Sequence, residues 1–385
     1  MVSFLLAIIY LAFISLGLPD ALLGAAWPIM QEELQVPVSF AGILSLLISC
    51  GTVVSSLLSD RMTRWLGPGK VTAISVGMTA AALWGFSVSG EYWMLCLWTI
   101  PYGLGAGSVD ASLNNYVALH YASRHMSWLH CMWGVGASIG PYIMGHVLSG
   151  GMAWNSGYRI VSLLQLVVTA ILLLSLPMWK KHPAAENESG ETGKDLGLGE
   201  IFAIPGAKEI LIAFFCYCAM EQTAAHWASS YLVLKDGLDP EWAASLASLF
   251  YLGITVGRVI SGFLTYKLSD VAMIRLGQVI VVLGIVIMLL PVGYAATMAG
   301  LLLIGLGCSP IYPCVIHSTP EHFGPENSQA LIGVQMASAY IGVCVAPPVF
   351  GLIANHISAA LLPLYLAVIT GVMILMCERL NRKTQ

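Results

Sequence analysis

Charge is what this chain has least of. Asp, Glu, Lys and Arg make up only 9% of 385 residues, against roughly 25% in an ordinary soluble domain. A soluble surface cannot be covered with so few charges, whereas a bilayer solvent demands few, since each charge at mid-membrane costs about 2.5 kcal/mol or more. The nine cysteines form no CxxC pair and lie in apolar runs, so neither a metal site nor a disulfide framework is expected. Nucleotide loops and nucleophile motifs are lacking, which disfavours ATP-driven pumping and points away from an enzyme with a cofactor. Sixteen basic residues against twenty acidic ones leave no basic patch for nucleic acid.

What is present is apolar: 58% of the residues are hydrophobic. Twelve stretches are long enough to cross a hydrocarbon core of roughly 30 Å as helices. They run over 3–30, 38–59, 70–89, 92–117, 126–149, 158–179, 208–234, 241–265, 271–291, 293–317, 328–353 and 358–377. Runs such as LGQVIVVLGIVIMLL lack the period-two alternation of a barrel strand, so the spans are helical. Thirteen of the sixteen Lys and Arg residues fall in alternate loops and the C-terminus. The positive-inside rule then puts both termini in the cytoplasm, consistent with an even number of spans in the cell's inner (plasma) membrane. The first apolar run lacks a basic leader and is too long for a signal peptide. The polar stretch KKHPAAENESGETGKDLGLGE divides six spans from six. The expected organisation is one six-helix bundle over 1–181, a cytoplasmic linker over 182–206 and a second bundle over 207–385.

The two halves echo each other. GTVVSSLLSDRM from Gly51 and GRVISGFLTYKL from Gly257 align at an offset of 206, as do Pro141-xxx-Gly145 and Pro347-xxx-Gly351. A GLG triplet recurs at Gly103–Gly105 and Gly305–Gly307. An internal repeat inside a membrane composition points to a secondary transporter made of two related halves.

SLLSDRMTRW, from Ser56, resembles the charged loop signature between the second and third helices of the major facilitator superfamily, with Asp60, Arg61 and Arg64 at matching positions. The resemblance implies a gating role for those three residues, and an all-α membrane fold of twelve helices in two six-helix bundles. Within that superfamily the fourth helix is similar to the fucose–proton symporter family: Gly107, Asp110 and Asn114 reproduce its Gly-x-x-acid-x-x-x-Asn spacing. That family's first-helix acid would fall at Gly24, where this chain has Asp20 one turn earlier, and its fifth-helix Asn falls at Trp133.

Residues inside the apolar runs suggest what such a protein would use. Asp20, Asp110 and Glu221 are intramembrane acids, and low dielectric favours the neutral form of an acid, which suits it to carrying a proton. His130 is a fourth candidate for proton coupling, because imidazole titrates near physiological pH. Asp110 and Asn114 are i and i+4 and share a helix face, as do His130 and Trp133 at i and i+3. Asn114, Trp27, Trp133, Gln222, His226, Trp227, Tyr312 and Gln335 supply the aromatic, amide and hydroxyl groups that a carbohydrate site combines. Arg258 is an odd basic residue in the eighth span, open to pairing with an intramembrane acid, to lining the pathway or to serving as an anchor.

The expectation is a monomeric transporter in the lipid bilayer working by alternating access. It would take up a sugar or similar small polar solute with protons, sodium being the other coupling ion open at this point. The competing reading is a proton-driven exporter of amphipathic compounds. It draws on Gly136-xxx-Gly140-Pro141-xxx-Gly145, which partly resembles the superfamily's antiporter signature. A third is a receptor or assembly protein on the same scaffold.

Overall fold

The computed structural model describes residues 2–179 and 196–384. Among these the secondary structure is entirely helical. The linker expected over 182–206 lies outside the described residues as far as 195. The chain packs as two compact units, Met1–His120 with Leu129–Asp195, and Tyr121–Trp128 with Leu196–Gln385.

The first unit holds α1 (Val2–Gly17), α2 (Leu22–Glu33), α3 (Phe40–Leu66), α4 (Pro68–Val88), α5 (Tyr92–His120), α6 (Ser123–Ser149) and α7 (Trp154–Trp179). The opening residues of α6 group instead with the second unit. The second unit holds α8 (Leu198–Ala203), α9 (Ala207–Leu234), α10 (Pro240–Leu264), α11 (Asp270–Met288), α12 (Tyr294–His317), α13 (Thr319–Phe323), α14 (Pro325–His356) and α15 (Leu362–Thr384), with a 3-10 turn at Ala359–Leu361.

Among the described residues, nine helical stretches are long and apolar enough to cross a membrane. α5, α6 and α9 are as long but less apolar, and they carry Asp110 with Asn114, His130, and Glu221 with Gln222.

Two boundaries differ from the sequence reading. The first span is not continuous: residues 18–21 form a turn between α1 and α2, with Asp20 inside it. Hydropathy sums over that break because its neighbours are apolar, whereas Pro19 lacks the N–H an unbroken helix would need. The charged signature is not a loop either. α3 continues through it to Leu66, and Gly67, at φ 79°, is the single residue joining α3 to α4. That backbone region favours glycine over any residue with a Cβ.

The repeated glycines are packing devices. Gly51 faces the backbone of Gly103, and a Cβ on Gly103 or Gly107 would strike the carbonyls of Ile48 and Thr52, so α3 and α5 approach backbone to backbone. The second unit repeats the contact: Gly253 and Gly257 of α10 abut α12, and Gly305 of α12 abuts the Phe250 carbonyl. Small residues at such crossings recover dispersion energy where lipid offers no hydrophobic drive. Gly136 and Gly140 of α6 likewise seat against the carbonyls of Ile14 and Leu18 in and just after α1.

Candidate functional site

In the first unit the polar residues converge from the α1–α2 break, α5 and α6. Asp110 and Asn114 are buried one turn apart on α5, and His130 reaches them from α6. Asn114 Nδ2 donates to Asp110 Oδ1 at 2.8 Å and to the Asp110 backbone carbonyl at 2.9 Å. A carbonyl can only accept, so these bonds fix which end of the amide is which. Asn114 Oδ1 therefore faces His130 Nε2, 3.0 Å away, and the imidazole must donate there. The Nε2 proton is committed to this bond. Phe13 packs edge-on against the imidazole at 5.4 Å between centroids, holding the ring's plane.

The same unit brings Asp20 and Trp133 together. Trp133 Nε1 donates to Asp20 Oδ2 at 2.8 Å across 113 residues of sequence. Asp20 is exposed in spite of its position within the first span, and Trp133 is half-buried. The buried hydroxyl of Tyr102 lies beside the same carboxyl, and Asp110 is near enough to Asp20 to interact with it electrostatically. Asp20, one turn before the place of the fucose-symporter acid, and Trp133, at the place of that family's Asn, are thus bonded to each other.

The second unit places its acid differently. Glu221 on α9 pairs with Arg258 on α10 at 4.0 Å. Tyr217, one turn before Glu221, lies against the carboxyl and donates its hydroxyl to the Cys308 carbonyl at 3.0 Å. Tyr312 packs on Phe214 and Tyr217, and its hydroxyl meets Met336 Sδ at 3.4 Å. Gln222 is half-buried and His226 exposed on the same helix. Also within this unit, His317 donates through Nε2 to the Tyr121 carbonyl and through Nδ1 meets Asp270, which in turn accepts from Ser123.

Several expected solute contacts serve packing. Trp27 is buried in the core of the first unit, its N–H given to the Val38 carbonyl at 2.8 Å. Trp227 gives its N–H to the Pro347 carbonyl and its ring to Phe350. Gln335 is fully buried and accepts from Thr319. In the expected gate, Arg64 forks onto Asp60 within α3, at 2.8 and 3.0 Å. Arg61 lines a surface cleft with Arg64, Met62 and Trp65. Residues the sequence reading passed over are Tyr102, Tyr217 and Tyr251. Each lies at a same-face spacing from a candidate already singled out, and that spacing was the available signal.

Comparison with known proteins completes the assignment. The sequence profile of the Major Facilitator Superfamily matches residues 9–347, and again 237–384. The chain belongs to the Major Facilitator Superfamily. It is accordingly a multi-pass membrane transporter and not an enzyme. Bypass of stop codon protein 6 of Saccharomyces cerevisiae is 23% identical over 67% of the chain, and the match spans only 56% of that relative's length. The glucose/mannose transporter GlcP of Bacillus subtilis is 20% identical over 80% of the chain and 77% of its own length. Among solved structures, FucP in its outward conformation superposes with a TM-score of 0.77 at 15% identity, covering 99% of this chain and 98% of that one. At that identity the likeness is one of fold.

Proposed function

We propose that this superfamily member takes up a sugar or similar small polar solute together with protons, by alternating access, with Asp110 as the leading proton carrier. The observation that carries the reading is the buried Asp110–Asn114–His130 chain. The acid sits among neutral hydrogen-bonding groups that accommodate either of its protonation states, and a carrier must be stable in both. Asp20 and Trp133 support the solute class. An exposed carboxylate held against an indole pairs an acceptor for hydroxyls with an aromatic face for the C–H side of a ring. GlcP is named for glucose and mannose, and FucP of E. coli is titled a fucose:proton symporter, which supports the same class.

For the export reading, Gly136 and Gly140 pack against the first span, so that motif has a structural role beside any functional one. Placement in the plasma membrane with cytoplasmic termini rests on the Lys and Arg distribution, and a monomer is the simplest working state.

Purified protein in vesicles, given a panel of neutral sugars while internal pH is recorded, tests the reading. Solute-dependent acidification of the lumen is expected. Alkalinisation would mark exchange, and uptake that follows a sodium gradient without proton movement would replace the proton by sodium.

A further inference from the structure

The residues joining α5 to α6 have no task in the chemistry above, yet they are held more closely than a turn needs. Tyr121–Trp128 groups with the second unit, although the helices on either side belong to the first. Within the second unit Arg124 lies over the Tyr266 ring at 4.9 Å, and Trp128 meets Phe263 edge-on at 5.7 Å between centroids. Gly262 of α10 leaves room for the same indole, which a Cβ there would strike.

The polar end of this docking fixes a proton count. His317, the last residue of α12, has both ring nitrogens against acceptors. Nε2 lies 2.9 Å from the Tyr121 carbonyl, and Nδ1 lies 2.6 Å from Asp270 Oδ2 at the start of α11. The other carboxyl oxygen of Asp270 accepts from the Ser123 hydroxyl. A neutral imidazole carries one N–H and would set a bare lone pair against one of its two acceptors. Both contacts hold together only when a hydrogen lies in each. The second hydrogen belongs to an imidazolium, or to a protonated Asp270 that donates to Nδ1. Either way the pair carries one proton more than neutral His317 with ionised Asp270.

Among the described residues His317 is the one side chain in ion-pair contact with Asp270, and the two side chains are 19% and 9% exposed. That burial limits screening by salt, while the open edge of His317 admits a proton. Other titratable groups facing the pair are Cys314 on α12, and Glu321 and His322 on α13. The docked segment adds Arg124 and His125, the latter packed on Tyr121 and Trp128.

We propose that Asp270 and His317 form a second proton-binding site: the pair takes up one proton as Tyr121–Trp128 docks on it, and gives that proton up as the segment leaves. The proton comes from water on docking and returns to water on release. Docking is therefore strongest below the ordinary imidazole value of about 6.5 and weakens as pH rises. The site is separate from Asp110 and goes beyond the reading of proton-coupled uptake. α5 bears Asp110 and Asn114 and α6 bears His130, so holding their connection restrains the helices that carry the first site. In the orientation proposed above the connection is cytoplasmic, and acid on that side holds it docked.

Hydrogen exchange of the Tyr121–Trp128 amides tests this, read by mass spectrometry on the full-length protein in detergent from about pH 6 to about pH 9. After correction for the intrinsic rate, exchange should rise by up to about tenfold per pH unit, the slope for one proton lost on release. Amides of α4 should show no such slope, which separates release of the segment from general unfolding. His317→Gln keeps a donor for the Tyr121 carbonyl but cannot titrate, and Asp270→Asn removes the acid. In both the segment should exchange without the slope, whereas His125→Gln should keep it. A flat wild-type profile overturns the second site, as does a slope that persists in His317→Gln or Asp270→Asn, or one that His125→Gln abolishes. Should one variant fail to fold, the other carries the comparison, and the wild-type slope is decisive without either. Lumen acidification driven by a neutral sugar is a separate measurement, so failure of one reading leaves the other standing.

Discussion

The two units share a helical plan and a set of glycine contacts, yet they treat an acid within the apolar spans in opposite ways. In the first, Asp110 hydrogen-bonds to the Asn114 amide and Asp20 to the Trp133 indole. In the second, Glu221 faces a guanidinium. An acid among neutral donors can be filled with a proton without stranding a charge. An acid opposite a cation cannot. Duplication therefore accounts for the packing, while the chemistry divided between the copies.

That difference can be broken most forcefully at Arg258. Arg258→Leu should cost about 1–3 kcal/mol, because it leaves the half-buried Glu221 carboxylate without its cation, and adding Glu221→Leu should recover most of the loss. Thermal midpoints of the two variants check this, and equal midpoints would mean that the pair is not coupled. In the first unit His130→Ala removes the donor that Asn114 Oδ1 accepts from. The expected cost is about 1–3 kcal/mol for the buried group left unsatisfied, and proton-driven accumulation should slow with it. Gly103→Ala and Gly305→Ala sharpen the comparison from the other side, since they touch the contact that the units share. Each should destabilise by about 1–3 kcal/mol through overpacking, and a large effect in one unit with none in the other would contradict a common crossing. The smallest change is expected at the signature: Arg64→Gln breaks a half-exposed pair within one helix and should move stability by at most about 1 kcal/mol. A larger loss of transport than of stability there would speak for a gate.

Much of the scaffold was legible in the chain, and the reason is local. Hydropathy over twenty residues finds a span, and the offset of 206 finds the repeat. The Asp110–Asn114 bond was legible too, since i and i+4 meet on any helix. What escaped depends on how helices turn towards one another. Trp133 reaches Asp20 across a distance in sequence that no periodicity encodes, and which acid Arg258 meets was open for the same reason. Trp27 and Trp227 read as solute contacts because an indole looks the same in a site and in a core, and only its bonding distinguishes them. The break at residues 18–21 was masked by apolar neighbours, although Pro19 stood there to mark it.

The central claim is that the acid on neutral partners carries the coupling proton. It is tested most directly by comparing uphill accumulation with solute exchange in Asp110→Asn vesicles. The account predicts that accumulation against a gradient is lost while exchange of solute across the membrane persists. Unchanged uphill accumulation in that variant would contradict it.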